Sequence, residues 1–274
     1  AEGFNYLDGL EFGRAVKGAV RGGKDVIFYK AGRTEEGKSA TSGHTASLAG
    51  DYMVCESCIR QAGGIVAYTF SEFEDLLVLS QGLHGKRVNG DRLAALSGAG
   101  FEAVGMADNI QSDDFALTMA ELSKDTAEKI REILAAKQLD NLVDIKNPLD
   151  INPGADDEVH VETVKCLAED PEVDAVVVGL DPLSPAMRTL ADCKAGKYDF
   201  NNPSSIAVTM PALLSGLNKP VVGVVDGGKL YDPLVDELMN KNVPVFRSSD
   251  RAVRALALYL EGRLSAKRLR RKSR

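Results

Sequence analysis

Short apolar runs rich in β-branched residues alternate along this chain with segments of helical periodicity. The apolar runs predict strands at 26–29, 65–68, 93–97, 173–179, 220–225 and 243–246. The other segments predict helices at 51–62, 71–83, from 101 onward, 124–137, 159–168, 204–217, 232–239 and 250–260. Near-continuous apolar strands separated by helices are typical of parallel sheets covered on both faces, so the pattern predicts a doubly wound α/β fold.

The alternation is interrupted at 85–90 by a polar, glycine-bearing stretch. We place a domain boundary there and predict two domains, at 1–86 and 87–262. From residue 263 onward the chain carries seven basic residues and no acidic ones. We interpret this last segment, 263–274, as a solvated basic tail or a linker.

Composition and charge narrow the function classes. The 274 residues are 44% hydrophobic and 27% charged, an ordinary balance for a soluble globular protein. The net charge of −7 argues against a general nucleic-acid binder. The apolar stretches are too short to span a bilayer and no secretory signal accompanies the four cysteines. We therefore expect a cytoplasmic protein with no nucleic-acid or membrane partner.

Two of the cysteines, Cys55 and Cys58, form a CxxC motif inside the helix predicted at 51–62. A structural zinc site needs four ligands, and the sequence offers no second CxxC or HxxxH motif. We expect two neighbouring helical thiols and no metal site.

In doubly wound sheets, function gathers at the carboxyl ends of the strands, where loops enter helices. Two segments fit this description: the Gly-, Ser- and Thr-rich loop 30–50, expected to enter a helix near residue 46, and 97–100 at the next helix start. Glycine-bearing helix N-termini suit a phosphate, and a neutral imidazole beside them could accept a phosphoryl group. His44 lies in the first loop. From the pattern alone, a surface hydrogen-bonding role for His44 stays open, and His84 and His160 are expected to be structural.

Three linked motifs carry a resemblance to a known family. They are KAGRT at 30–34, SGHTASLAG at 42–50 and RQAG at 60–63. Together they resemble the NDP-forming acyl-CoA synthetases, a family that includes ADP-forming acetate–CoA ligase and is related to succinyl-CoA synthetase. NPLD at 147–150 and KPVV at 219–222 also look like family signatures. The resemblance implies two flavodoxin-like domains, the first of them incomplete because its early strands would lie upstream.

The resemblance implies specific roles. His44 matches the family's phosphorylated histidine, and Asp8 in the YLDG segment 6–9 matches the carboxylate that orients it, one methylene shorter than the family's Glu. The implied phosphate-binding positions are Gly43, Thr45, Ala46, Ser47 and Arg33 around the histidine, and Ser97, Gly98, Ala99 and Gly100 at the second helix start. The second set departs more from the family pattern, with Ser-Gly in place of Thr-Asn. Arg33 has an alternative role in a salt bridge at the strand end.

The family's complete enzyme also has a CoA-binding Rossmann domain and an ATP-grasp module, and neither is found in this sequence. The resemblance therefore implies a component that interconverts acyl-CoA, ADP and phosphate with a carboxylic acid, CoA and ATP. CoA, ADP/ATP and Mg would be bound mainly by modules outside this chain. An exposed sheet edge or apolar face would favour association with another chain, and we expect an oligomer.

Two alternatives remain open. The same domains occur in the regulatory part of certain protein acetyltransferases, where they sense ligands without phosphoryl transfer and the histidine is typically lost. A flavodoxin-like module with an empty site is the other alternative. Retention of His44 favours the enzyme component.

Overall fold

The computed structural model describes residues 1–4, 8–44, 51–193 and 197–271, with the backbone alone for 42–44. Its helices are α1 (Asp8–Arg21), α2 (Glu35–His44), α3 (Tyr52–Gln61), α4 (Phe70–Leu83), α5 (Gly100–Asp108), α6 (Lys124–Ala135), α7 (Asp157–Glu169), α8 (Ile206–Gly216), α9 (Asp232–Asn240) and α10 (Ser249–Arg271). Its strands are β1 (Ile27–Tyr29), β2 (Ile65–Ala67), β3 (Arg92–Ser97), β4 (Thr118–Met119), β5 (Leu149–Asp150), β6 (Ala175–Gly179), β7 (Val221–Val224) and β8 (Val245–Phe246). Two compact units result: Ala1–Ser80 with Leu258–Arg274 (unit 1), and Gln81–Ala257 (unit 2).

The sheet of unit 2 is parallel throughout. β6 borders one edge of β3, while β4 and β5 pair with the beginning and the end of its other edge. Beyond β6 follow β7 and then β8. If β4 and β5 count as one strand position, the order is 2-1-3-4-5, the flavodoxin-like order whose switch point lies between β3 and β6. The predicted doubly wound α/β fold class is confirmed.

Unit 1 contains a parallel pair, β1 and β2, with Phe28 opposite Val66. Its core joins α1, α3, the two strands and the end of α10, through Val16, Val20, Phe28, Ile59, Ala62, Val66 and Ala266. The buried carboxylate of Asp25 accepts hydrogen bonds from Ser80 Oγ and Tyr259 Oη, both at 3.0 Å, and from Arg263 Nη1 at 3.3 Å. These contacts explain why the end of α10 belongs to unit 1.

Two elements differ from the sequence-based expectations. The segment 263–271, expected to belong to a solvated tail or linker, continues α10, because Ala266 packs into the core of unit 1. The segment 30–50, expected to be a loop, contains α2. Thr34 begins this helix by accepting a hydrogen bond at Oγ1 from the Gly37 backbone N–H (3.1 Å), and Glu35 and Glu36 lie in its first turn, where the helix dipole favours negative charge.

Three further elements were not predicted: α1 and the two-residue strands β4 and β5. Within the described ranges, no helix is both long enough and apolar enough to cross a membrane.

Candidate active site

Two cations follow the end of β1, one buried and one exposed. Lys30 is 2% exposed, and its Nζ donates to the carbonyl oxygens of Glu2 and Ala31, each at 2.7 Å. Arg33, three residues later, is exposed. Lys30 therefore fixes the strand end, while the guanidinium of Arg33 is accessible to a ligand.

His44 is the last residue of α2 and Gly43 precedes it, so both backbones lie at the carboxyl end of a helix. The side chain of His44 and the predicted phosphate-binding residues Thr45, Ala46 and Ser47 lie outside the described residues. The next described helix, α3, begins at Tyr52 and is capped by the Asp51 side chain, which accepts from the Val54 N–H at 3.0 Å.

Asp8 is the first residue of α1 and is exposed. A carboxylate in the first helical turn is stabilised by the helix dipole. Its predicted contact with His44 involves a side chain outside the described residues, so the orienting role stays a prediction.

Arg60, the first residue of the RQAG motif, belongs to a polar network with Glu56 and Tyr68 that the sequence did not reveal. Glu56, only 8% exposed, accepts hydrogen bonds at Oε1 from Arg60 Nε (2.9 Å) and Tyr68 Oη (2.7 Å), and Arg60 Nη2 donates to Tyr68 Oη (2.8 Å). Burial and then the charge of Glu56 raise the pKa of Tyr52, while Arg33 lowers it. The charge of Arg33 thus acts on the beginning of α3, which follows the 42–50 segment in sequence.

The second predicted phosphate-binding segment lies at the switch point of unit 2. Ser97 is fully buried at the end of β3; its Oγ donates to Glu102 Oε2 at 2.7 Å and accepts from the Ala99 N–H at 3.0 Å. Helix α5 begins at Gly100, and no side chain caps its first turn. The structure therefore brings Ser97, Gly98, Ala99 and Gly100 to a helix N-terminus at the edge where doubly wound sheets bind ligands.

Carboxylates border this segment closely. A Cβ on Gly98 would lie 2.7 Å from Asp181 Oδ2, and a Cβ on Gly100 would overlap Asp150 Oδ2. Only glycine allows the backbone to pass these carboxylates. A phosphate here would face their negative charge as well as the helix N-terminus. Phosphate binding at 97–100 therefore stays a prediction, and it would carry an electrostatic cost that the sequence did not indicate.

Glu102 is the most unusual of these acids. It is 9% exposed, and its Oε1 has no hydrogen-bond partner among the described residues. Burial raises its pKa to about 7; the hydrogen bond from Ser97 lowers it in part, and the charges of Asp226 and Asp181 raise it further. Glu102 is therefore partly protonated near neutral pH.

Asp181, just after β6, has a left-handed backbone with φ of 37°, and burial raises the pKa of its carboxyl group. His160 is fully buried, and its ring Nδ1 lies 3.0 Å from the carbonyl oxygen of Asp156. A carbonyl only accepts, so Nδ1 carries the proton, and burial lowers the pKa of the ring. A neutral histidine therefore lies near the carboxyl group of Asp181. In the described ranges, no three His, Cys, Asp or Glu residues are arranged to hold a metal ion.

Comparisons with known proteins agree with the motifs. Residues 2–79 match the family model for the succinyl-CoA ligase like flavodoxin domain. The α subunit of ADP-forming acetate–CoA ligase II from Pyrococcus furiosus is 29% identical over 264 residues, which cover 94% of this chain and 53% of that subunit. The chain is a relative of the ADP-forming acetate–CoA ligases. ADP-forming acetate–CoA ligase I from Archaeoglobus fulgidus is 30% identical over 256 residues, 92% of this chain and 33% of that protein.

A solved structure shows the same fold over the whole chain. The dinucleotide forming acetyl-coenzyme A synthetase 1 of Candidatus Korarchaeum cryptofilum, in complex with phosphate and ADP, matches with a TM-score of 0.78 at 22% identity. The match covers 100% of this chain and 54% of that one. The chain thus spans about half of these relatives or less, and a more distant relative, 24% identical, is a trans-feruloyl-CoA synthase.

Proposed function

We propose that this chain is a component of an NDP-forming acyl-CoA synthetase, in which His44 carries the phosphoryl group. The complete enzyme would catalyse acyl-CoA + ADP + phosphate ⇌ carboxylic acid + CoA + ATP. The observation that carries the proposal is the similarity to an acetate–CoA ligase α subunit over 94% of the chain, together with the SGHTASLAG segment around His44.

The chemistry assigned to His44 is two phosphoryl transfers. In the first, the unprotonated imidazole nitrogen attacks the phosphorus of an acyl phosphate, and the carboxylate leaves with the electrons of the broken P–O bond. In the second, a terminal phosphate oxygen of ADP attacks the phosphohistidine, the P–N bond breaks, and ATP and neutral imidazole form. Asp8 would accept a hydrogen bond from the other ring nitrogen and so orient the ring. Arg33 and the backbone N–H groups of Thr45, Ala46 and Ser47 would stabilise the phosphoryl charge, whereas the backbone of Gly43, predicted to bind phosphate, lies in the last turn of α2, where N–H groups point into the helix.

CoA, ADP/ATP and Mg belong to the same proposal, and we assign their binding mainly to modules outside this chain. The proposed partners are an ATP-grasp subunit or domain and a CoA-binding Rossmann domain, with a small carboxylic acid or its acyl-CoA as substrate, in a cytoplasmic oligomer. Unit 1 contains a cavity of about 580 Å³ between α1 and α3. Apolar side chains line much of it, together with the cations Arg14 and Lys17, and such a surface supports association with a partner chain. Leu10 and Val54, which also line it, are 58% and 62% exposed.

Labelling tests the role of His44 directly. The chain would be incubated with acetyl phosphate labelled in its phosphoryl group and, separately, with labelled ATP, magnesium and the candidate ATP-grasp subunit. We expect an acid-labile label that mass spectrometry maps to His44 and that ADP removes. His44→Asn should abolish the label, whereas the matched control His84→Asn, at an exposed histidine, should keep it. Equal labelling of the His44→Asn variant would contradict the assignment.

One observation favours a second candidate, a ligand-sensing module without phosphoryl transfer. The carboxylates of Asp150 and Asp181 beside Gly98 and Gly100 weaken the case for a phosphate at α5. If the ATP-grasp subunit is active on another carrier but leaves His44 unlabelled, the sensing module is the better account.

A further inference from the structure

Apolar side chains line much of the cavity between α1 and α3 in unit 1. Its volume of about 580 Å³ lies within the range of about 300–1,000 Å³ that is usual for small-molecule pockets. Ile59 belongs to the core of unit 1, and Phe4 and Phe12, whose ring centroids are 5.1 Å apart, pack against that core, so these side chains form the inner wall. Leu10 and Val54 are exposed and form the rim, where a partner chain can make contact while a small molecule occupies the interior.

The charged groups of the cavity do not cancel. Arg14 and Lys17 line it from α1, and neither forms an ion pair or a hydrogen bond with another residue in the part of the chain that the structure describes. Among the described residues, the one lining carboxylate is that of Asp51, which already accepts the backbone hydrogen bond that caps α3. Asp8 and Glu11, at the start of α1, are exposed and lie outside the lining. Two positive charges and one negative charge therefore leave one positive charge to be balanced.

Both thiols of the CxxC motif also line the cavity. Neither is in a disulfide; Cys55 is partly buried and Cys58 is exposed. Burial raises the pKa of the Cys55 thiol, and the charge of Lys30 lowers it only in part. Cys55 is therefore neutral near pH 7 and acts as a small apolar side chain. Cys58 can report on the cavity, because a bound molecule would cover its exposed thiol.

Lining and charge together define the class of ligand. An apolar body would exchange contact with water for contact with apolar side chains, which favours binding in proportion to the area buried. A phosphate dianion or a nucleotide would bring several polar groups to an apolar wall that cannot hydrogen-bond them. We propose that this cavity binds a monocarboxylate with an apolar body, of the size of a medium-chain fatty acid, whose single charge Arg14 and Lys17 balance. The site goes beyond the function proposed above and does not depend on phosphoryl transfer at His44.

Octanoate titrated into the isotope-labelled full chain at neutral pH tests the proposal by the positions of the backbone amide shifts in NMR spectra. We expect saturable shifts at Leu10, Gly13 and Val54, with a dissociation constant of about 1 mM or lower. The affinity should rise about fourfold for each CH₂ group from butanoate to octanoate, as burial of the chain predicts. Octylammonium has a chain of the same length and the opposite charge, and it should bind at least about tenfold more weakly.

The same titration separates this site from the chemistry proposed for His44. His44→Asn should bind octanoate as tightly as the wild type does, even if its phosphoryl labelling is lost. Shifts confined to 43–47, or loss of octanoate binding in His44→Asn, would assign the acid to the phosphoryl-transfer site and overturn the proposal for the cavity.

Paired variants separate the cavity from general surface effects. Replacing both Arg14 and Lys17 with Gln should weaken octanoate binding about fivefold or more. Replacing both Arg21 and Lys24 with Gln removes the same charge from exposed positions outside the lining and should leave the affinity unchanged.

A second pair of variants tests the apolar rim. Val54→Glu places a carboxylate at the rim and should weaken octanoate binding about tenfold or more. Met53→Glu, at an equally exposed position of the same helix outside the lining, should not.

Alkylation of Cys58 by iodoacetamide, mapped by mass spectrometry, gives an independent readout. Saturating octanoate should slow the modification of Cys58 about fivefold or more, while the rates at Cys166 and Cys193 in unit 2 stay the same. Absence of saturable octanoate binding, equal effects of a variant and its control, or an unchanged rate at Cys58 would each overturn the proposal.

Discussion

Replacing Glu102 with Gln should stabilise the protein above pH 7 and change its stability little near pH 4.5. Burial raises the pKa of this carboxyl group from 4.5 to about 7, which corresponds to about 3 kcal/mol between the folded and unfolded chains. Because Glu102 is 9% exposed, solvent screens little of this energy.

The direction follows from which state holds the proton. Below pH 4.5 the carboxyl group is neutral in both states, so its contribution to folding is fully present. Between pH 4.5 and about 7 the unfolded chain loses the proton while folded Glu102 keeps it, so the free energy of unfolding falls as pH rises. Above about pH 7 that loss is complete. Gln stays neutral at every pH, and its side-chain oxygen can still accept the hydrogen bond from Ser97.

The assay is urea unfolding followed by far-ultraviolet circular dichroism, since the chain has no Trp. The free energy of unfolding of Glu102→Gln minus that of the wild type should rise by about 3 kcal/mol from about pH 4.5 to about pH 8. Glu132→Gln, at an exposed position of α6, serves as the matched control and should show a small, flat difference. A flat difference for Glu102→Gln, or one that falls with pH, would refute the reasoning.

Three further predictions concern buried polar groups, each measured by the free energy of unfolding. Asp157→Ala should cost about 3 kcal/mol, because this fully buried carboxylate accepts hydrogen bonds from two backbone N–H groups and one guanidinium. The control Glu158→Ala removes a carboxylate from an exposed ion pair with Lys137 and should cost under about 1 kcal/mol. Equal costs for the two variants would contradict this account. Asp25→Ala should cost about 3 kcal/mol, because Ser80, Tyr259 and Arg263 lose the acceptor of their hydrogen bonds. Lys24→Ala, at an exposed neighbouring position, is the control, and a similar cost for both variants would speak against this reasoning. Burial lowers the pKa of His160, so the contribution of this ring to stability should fall as pH drops below 6.5 and the unfolded ring takes a proton. The free energy of unfolding of His160→Phe minus that of the wild type should therefore rise as pH drops below 6.5, and a flat difference would count against this reasoning.

The sequence predicted the fold class because its main strands are long enough to show a pattern. Strands β6 and β7 contain no polar side chain, and the structure buries every one of their residues. β4 and β5 are two residues long, too short for any periodicity, and they are strands only because β3 offers an unpaired edge. The Ser, Thr and Gly content of α2 favours turns and so predicts a loop, and the single capping residue Thr34 is too weak a signal to predict the helix.

For the 97–100 segment of the candidate site, the sequence predicted the backbone conformation but not the electrostatics. The glycines of 97–100 indicated a helix N-terminus at a strand end, and the structure places one there. Glu102 reads in sequence as an ordinary residue of the first helical turn. Its burial depends on β6 lying beside β3. Asp150 comes from β5 and Asp181 from the segment after β6, so only the assembled sheet brings these acids together.

Unit 1 is built from two stretches of chain, Ala1–Ser80 and Leu258–Arg274, with all of unit 2 between them in sequence. On the ribosome, the continuous unit 2 can therefore complete its core as it emerges, whereas unit 1 must wait for the end of α10. Until Tyr259 and Arg263 are synthesised, Asp25 lacks two of its partners, and until Ala266 is synthesised, the core around Val20 remains uncovered. The earlier-made segment thus spends the translation time of unit 2 as an unfinished, apolar surface, and this interval is when it is most open to chaperones and to misassembly.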